Sequence, residues 1–361
     1  MAFEILGNYA VSGTWDLWYF RYANGYGYVR DYTQKYIRKI RISDMTQVAY
    51  YYDGANNEPW YIDPTNNYLY CYQFSGSNVY MKKFDISGES ISLVATSSIY
   101  ADEPYGYDDG CIDLVNNKAI YNFGFFGGSW EKLVKVDLTN LTFTTHSISP
   151  THFHYCGGAF HNGYGYWATG LTGGNQEILK LDTSSMTVAG LLTIPDYGES
   201  EFLGGTKVDT IHNYLYALAY GQFNDETDTG GFLFKIDLST FTLNGYVNIP
   251  APSGIYTFAI DEINQIAYCA DQGWYTTFKP TIYVVDCKTM TVLGTTLTLT
   301  EFCAPRRGTG IDVANGFLLV GSQGFNMPPL YPGRLWKIGL YSTSLPISSI
   351  YHKWHEPVVI I

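Results

Sequence analysis

The chain has 361 residues, of which 46% are apolar, 17% aromatic and only 15% charged, with 37 glycines, 34 tyrosines and a formal charge of −12. That much apolar sequence supports a large core and excludes a disordered chain. An acidic sequence without a basic run lacks the clustered Lys and Arg that nucleic acid or an anionic lipid surface requires.

The opening MAFEILGNYAVSGTWDLW has neither a basic n-region nor an apolar h-region, and no apolar run reaches the roughly 18 residues of a spanning helix. A soluble protein is expected, cytoplasmic or part of an assembly such as a virion. Two phrases then alternate along the chain. One is a hairpin, two short strands around an Asn- or Asp-containing turn: LWYFRYANGYGYVRD from Leu17, EPWYIDPTNNYLYCY from Glu58 and GCIDLVNNKAIY from Gly110. CGGAFHNGYGYWATG from Cys156, GGTKVDTIHNYLYALAY from Gly204, TFAIDEINQIAYCAD from Thr257 and GTGIDVANGFLLVGS from Gly308 continue it. The turn residues Asn162, Asn213, Asn264 and Asn315 fall 51 apart each time.

The other phrase is a strand, an acid-marked corner and a second strand. It starts at Tyr36 (YIRKIRISDMTQVAYYY), Tyr80, Leu133, Ile178, Phe232 (FLFKIDLSTFTLNGYVNIP), Ile282 (IYVVDCKTMTVLGTTLTL) and Arg334 (RLWKIGLYSTSLPISSIY). Its anchor acids are Asp85, Asp137, Asp182, Asp237 and Asp286, spaced 52, 45, 55 and 49, with Arg41 and Gly339 in the degenerate outer copies. An aspartate there can accept hydrogen bonds from the backbone of its own turn. Both phrases occur seven times, so each unit is a set of four short antiparallel strands, here called a to d.

Four-stranded units of about 50 residues are the signature of propeller blades. The expected fold is all-β, a single seven-bladed β-propeller with blades near 14–52, 58–97, 108–149, 155–195, 203–250, 256–299 and 307–351. Each blade is read as contiguous chain, with Pro346 in the last outer strand. The tails 1–13 and 352–361 are left over, and one of them is expected to add a closing strand. The phrase IYVVDCKTMTVLGTTLTLT followed by IDVANGFLLVGS resembles the YVTN-type propeller repeat over roughly residues 14–351, although YCYQ, YNFG, YWAT, YALA and YCAD replace that family's name-giving tetrapeptide. The resemblance implies a seven-bladed fold and includes cell-surface and scaffold proteins. It implies no activity.

In such a blade the a–b and c–d turns share one face, which reads as structural because the turns are short and stereotyped. The other face carries the irregular b–c loops, such as FGFFGGSWE, GQFNDETDTGG and DQGWYTTFKPT with Trp274, whose aromatic, Gly and Asn content suits recognition. The d–a loops converge on the channel mouth and bring Trp60, Asp108, Asp109, His152, His154, Tyr155, Glu199, Glu201, Arg306 and Arg307. These eleven residues form the candidate ligand-binding set. Two histidines flanked by carboxylates fit a solvated polar rim, a divalent-metal site or an acid/base pair.

No motif calls for a cofactor, and no GxSxG elbow, P-loop or HExxH is present. Cysteines 71, 111, 156, 269, 287 and 303 have no metal-ligand spacing and read as buried thiols, with disulfides as the alternative. Residues 224–228 alternate oxygen-bearing side chains like a calcium loop, with the glycine one place late. The function expected is recognition of a protein or glycan through the loop face, as part of a larger assembly such as a virion or cell-surface structure. The alternative is a metal-dependent enzyme of the lyase or lactonase kind at the channel mouth.

Overall fold

The computed structural model describes residues 2–10, 17–31, 33–52, 54, 56–75, 78–98, 110–122, 132–147, 154–170, 176–195, 205–220, 230–251, 254–271, 281–299, 311–314, 316–322 and 333–341. They form seven antiparallel sheets of four strands. Strand β1 is Ala2–Ala10. Blade 1 holds β2 Leu17–Ala23, β3 Tyr26–Asp31, β4 Tyr36–Arg41 and β5 Thr46–Tyr52. Blade 2 holds β6 Asn56–Asp63, β7 Tyr68–Ser75, β8 Asn78–Asp85 and β9 Ser92–Thr96. Blade 3 holds β10 Cys111–Asp113, β11 Lys118–Asn122, β12 Lys132–Asp137 and β13 Thr142–Ser147. Blade 4 holds β14 His154–His161, β15 Tyr164–Gly170, β16 Gln176–Asp182 and β17 Thr187–Ile194. Blade 5 holds β18 Thr206–Asp209, β19 Tyr214–Tyr220, β20 Gly231–Asp237 and β21 Thr242–Ile249. Blade 6 holds β22 Ile255–Asp261, β23 Ile266–Asp271, β24 Thr281–Asp286 and β25 Thr291–Thr298. Blade 7 holds β26 Ile311–Ala314, β27 Phe317–Ser322 and β28 Arg334–Tyr341.

Middle strands such as IAYCAD and FLFKID are buried on both faces, because each blade packs between two others. Outer strands such as TLNGYVNI alternate exposed and partly buried residues. Seven apolar clusters result, each formed by residues of two neighbouring blades. Between blades 3 and 4, Trp167 is fully buried. Gly165 admits its ring, since a Cβ there would lie 2.5 Å from the indole.

The corner chemistry repeats. Ser239 N donates to Asp237 Oδ1 at 2.7 Å, and Ser87, Thr139, Ser184 and Lys288 N–H groups do the same to Asp85, Asp137, Asp182 and Asp286. In all seven blades the residue after the anchor position donates its N–H to the a–b turn, from Ile42 N to Gly25 O through to Leu340 N to Gly316 O, at 2.8–3.1 Å. Each c–d corner is thereby tied to its own a–b hairpin. Met45, Leu141, Met186, Phe241 and Met290 close the corners at φ 52–59°, a conformation that costs a bulky residue about 1 kcal/mol or more. The side chains lean on the preceding blade, as Met45 does beside Gly7 and Met290 beside Gly245.

Two expectations are corrected. The outer strand of blade 7 is not contiguous with β28. It is β1, paired antiparallel from Ala2↔Tyr341 to Ala10↔Arg334. The outer strands of blades 1, 2, 4 and 5 each bulge opposite the c strand's third-last to second-last step, as between Lys39 and Ile40, and that of blade 6 bulges one step earlier, between Tyr283 and Val284. Strand β1 bulges between Ile5 and Gly7, opposite Ile338 and Lys337, so it is a repeat strand displaced to the other end of the sequence. Residues 342–361, with Pro346, lie outside the described residues.

The equal 51-residue spacing also mixes two roles. Asn213 occupies the left-handed turn position at φ 59°, whereas Asn264 bonds Asp261 through its side chain and Gln265 takes the left-handed position.

Candidate interaction surface

The innermost strands of neighbouring blades approach one another around the axis. The candidate ligand-binding set touches the described residues at three places. Trp60 sits in a bulge of β6, between Pro59↔Cys71 and Tyr61↔Tyr70. His154 and Tyr155 open β14 and pair with Gly170 and Thr169 of β15, at the loop-face end of blade 4. Asp108, Asp109, His152, Glu199, Glu201, Trp274, Arg306 and Arg307 lie outside the described residues, as does the calcium-like stretch 224–228. Strands β6 and β14 belong to blades separated by a third. Among the described residues no group of three or more His, Cys, Asp or Glu is arranged to hold a metal ion. Cys71, Cys111, Cys269 and Cys287 are buried free thiols.

Four-residue turns D-x-x-[NH]-[NQ] join a to b in blades 2, 3, 5 and 6, and two-residue turns do so in blades 1, 4 and 7. Asp63 Oδ1 accepts from Thr65 N and Asn66 N, and its Oδ2 accepts from Asn66 Nδ2. Asp113 and Asp261 repeat the pattern with Asn116 and Asn264. In blade 5 buried Asp209 accepts from Ile211 N and His212 N and faces His212 Nδ1 at 2.9 Å. Gln265 Nε2 lies 3.0 Å from His212 Nε2. An amide N–H can only donate there, so Nδ1 carries the proton and donates to Asp209.

These turns are coupled between blades. Asn24 Nδ2 donates to Pro64 O, and His161 Nε2 meets Asn213 Oδ1 at 3.1 Å. Thr210 donates both its N–H and its hydroxyl to Glu262 Oε2, at 2.8 and 2.6 Å. Beside those two residues stand Ile211 and Ile263, 59% and 73% exposed, and the matching position in blade 3 is Val115, 89% exposed. In blade 2 it is Thr65. The sequence had marked this face as structural and passed over these three residues. The available signal was a β-branched apolar residue at a turn tip where turn chemistry favours polar ones.

Below the tips, cations turn inward. Lys39 Nζ donates to Ile86 O and Gly88 O of the next blade's corner, Lys235 Nζ to Cys287 O and Lys337 Nζ to Ile42 O. Each also lies over an aromatic ring, of Tyr26, Tyr214 and Phe317, at 4.0–4.3 Å. Burial pushes Lys39 down to about 8 against the opposing pull of Asp85 and Glu89. Hydrogen bonds from Ser87 hold Asp85 below its usual range, and those from Ser184 and Ser185 do so for Asp182.

No family model matches the chain, and no curated protein matches it. The YVTN-type resemblance therefore rests on the repeat phrases alone. A chain in the crystal structure of the mitotic checkpoint complex is similar in fold, with a TM-score of 0.61 at 8% identity over 94% of this chain and 92% of that one. At that identity the likeness carries architecture only. The seven-bladed propeller is shown. No helix among the described residues is long and apolar enough to cross a membrane.

Proposed function

We propose that this propeller is a non-enzymatic binding module that recognises another protein. The observation that carries the reading is the division of labour in the molecule. Corner and turn polar groups are spent on intra- and inter-blade hydrogen bonds, while large apolar side chains stand exposed at tips that the fold does not need. The fold neighbour was seen within a protein complex, which is consistent with such a role. Aromatic b–c loops in the sequence extend the reading to the opposite face and to membership of a larger assembly.

The test is isolation of the protein from its natural source under native conditions, with cross-linking and mass spectrometry. A stoichiometric protein partner is expected, and a monomer throughout would contradict the reading. The metal-dependent alternative is decided separately, by thermal shift of purified protein with Mg²⁺, Mn²⁺ and Zn²⁺. The binding reading expects no rise in Tm, whereas a rise abolished by His154→Ala would favour the alternative.

A further inference from the structure

Resting on the protein-binding reading, we propose that the a–b turn tips of blades 3, 5 and 6 form a docking surface for a protein segment carrying apolar side chains flanked by Lys or Arg. Val115, Ile211 and Ile263 occupy one turn position in three blades and project to solvent. Nothing in the turn demands them, because Thr65 serves in blade 2 with the same aspartate bonds. A single exposed isoleucine needs no explanation, but three at one structural position around one axis do.

The tips are also pre-organised. Thr210 and Glu262 clamp the two turns that carry Ile211 and Ile263, and His212 and Gln265 clamp them a second time. Val and Ile have stiff χ1 angles, so little side-chain entropy is lost when a partner covers them. The two-residue turn of blade 4, His161–Tyr164, lies between the longer turns of blades 3 and 5.

Charge selects the occupant. Around the tips in blades 3 to 6 stand Asp137, Asp182, Asp237, Asp261, Glu262 and Asp286, against Lys118 and Lys288 in the same turns. Lys235 of these blades is buried over the ring of Tyr214, and the partly buried Lys180 lies over that of Tyr164. Such a field favours a cationic partner and disfavours a second copy presenting the same face.

The experiment uses the full chain as bait for a displayed library of random linear peptides, with the triple variant Val115→Asn, Ile211→Asn, Ile263→Asn and the control Thr65→Asn alongside. Asn suits these turn positions, and unchanged thermal melting checks that the variants fold. Enriched peptides should combine apolar residues with Lys or Arg. Synthesised, they should bind the triple variant about tenfold or more weakly, bind the control unchanged, and weaken in high salt. Peptides that bind the triple variant equally well would overturn this surface and leave the protein-binding reading standing. Enrichment of acidic or uncharged peptides would overturn the charge argument. Self-association abolished by the triple variant would make the occupant a second copy. Enrichment of nothing on either bait would tell against both the surface and the protein-binding reading.

Discussion

At the scale of residues, the aspartates do two jobs that look alike in the sequence. Asp237 and its equivalents shape the c–d corner, while Asp63, Asp113, Asp209 and Asp261 shape the a–b turn. Asp209 is fully buried and receives three donors, so Asp209→Ala should cost roughly 2–3 kcal/mol, seen as a lower midpoint in urea unfolding. No change in midpoint would show that the turn holds without it. The corner acids also set an acid limit. Asp85 and Asp182 ionise more readily folded than unfolded, so the unfolded chain binds more protons as the pH drops. Their contribution is complete above the ordinary aspartate range and is lost progressively as pH falls below about 4. Lys39 behaves in the opposite sense to a stabilising cation. Its folded value near 8 lies below the unfolded one, so its contribution improves as pH rises from about 8 to 10. In thermal melts the parent should gain stability relative to Lys39→Met as pH rises over that window, and a constant difference would contradict the assignment.

At the scale of elements, the inter-blade lysine explains a substitution that the repeat alone does not. Lysine stands two places before the anchor in every blade except blade 6, which has Val284, and the aromatic ring it would lie over is replaced there by Ile266. In blades 1, 5 and 7 the lysine bonds carbonyl groups of the next blade's corner. Blade 7 has no such corner, because its outer strand is β1 and not a continuation of β28. An ammonium group at 284 would therefore be buried without carbonyl acceptors, among Ile338, Trp336 and the partly buried Phe3 and Ile5. Val284→Lys should accordingly destabilise by roughly 2–4 kcal/mol in denaturant unfolding. A neutral result would mean that carbonyl groups reach this position after all.

The displacement of β1 was partly legible. AFEILGNYA alternates like an outer strand, and Gly7 stands where Gly190 and Gly245 stand in blades 4 and 5. It lacks an anchor acid because no corner precedes it, and a search keyed on the corner passes over it. The count of blades was legible for the complementary reason. An Asp that bonds its own turn is a local requirement, restated in nearly every unit whatever the neighbours are. Asn213 and Asn264 mark the limit of that logic: identical residues at equal spacing take different roles once turn geometry is fixed by φ.

At the scale of the molecule, the two faces differ in how they are built. The turn face is cross-tied from blade to blade and carries its apolar tips on short rigid hairpins. Those tips were legible only as apolar β-branched residues at turn positions that favour polar ones, and their exposure follows from where each turn points. The loop-face set from Trp60 to Arg307 joins residues of the converging d–a loops to Trp274 of a b–c loop, and most of it lies outside the described residues. What separates the faces as binding surfaces is where a partner leaves its footprint. Hydrogen–deuterium exchange of the full chain, with and without a bound partner or selected peptide, reads this directly. Protection is expected at turns 113–118, 209–214 and 261–266. Protection confined to the b–c segments 123–131, 221–229 and 272–280, with those turns unchanged, would contradict it.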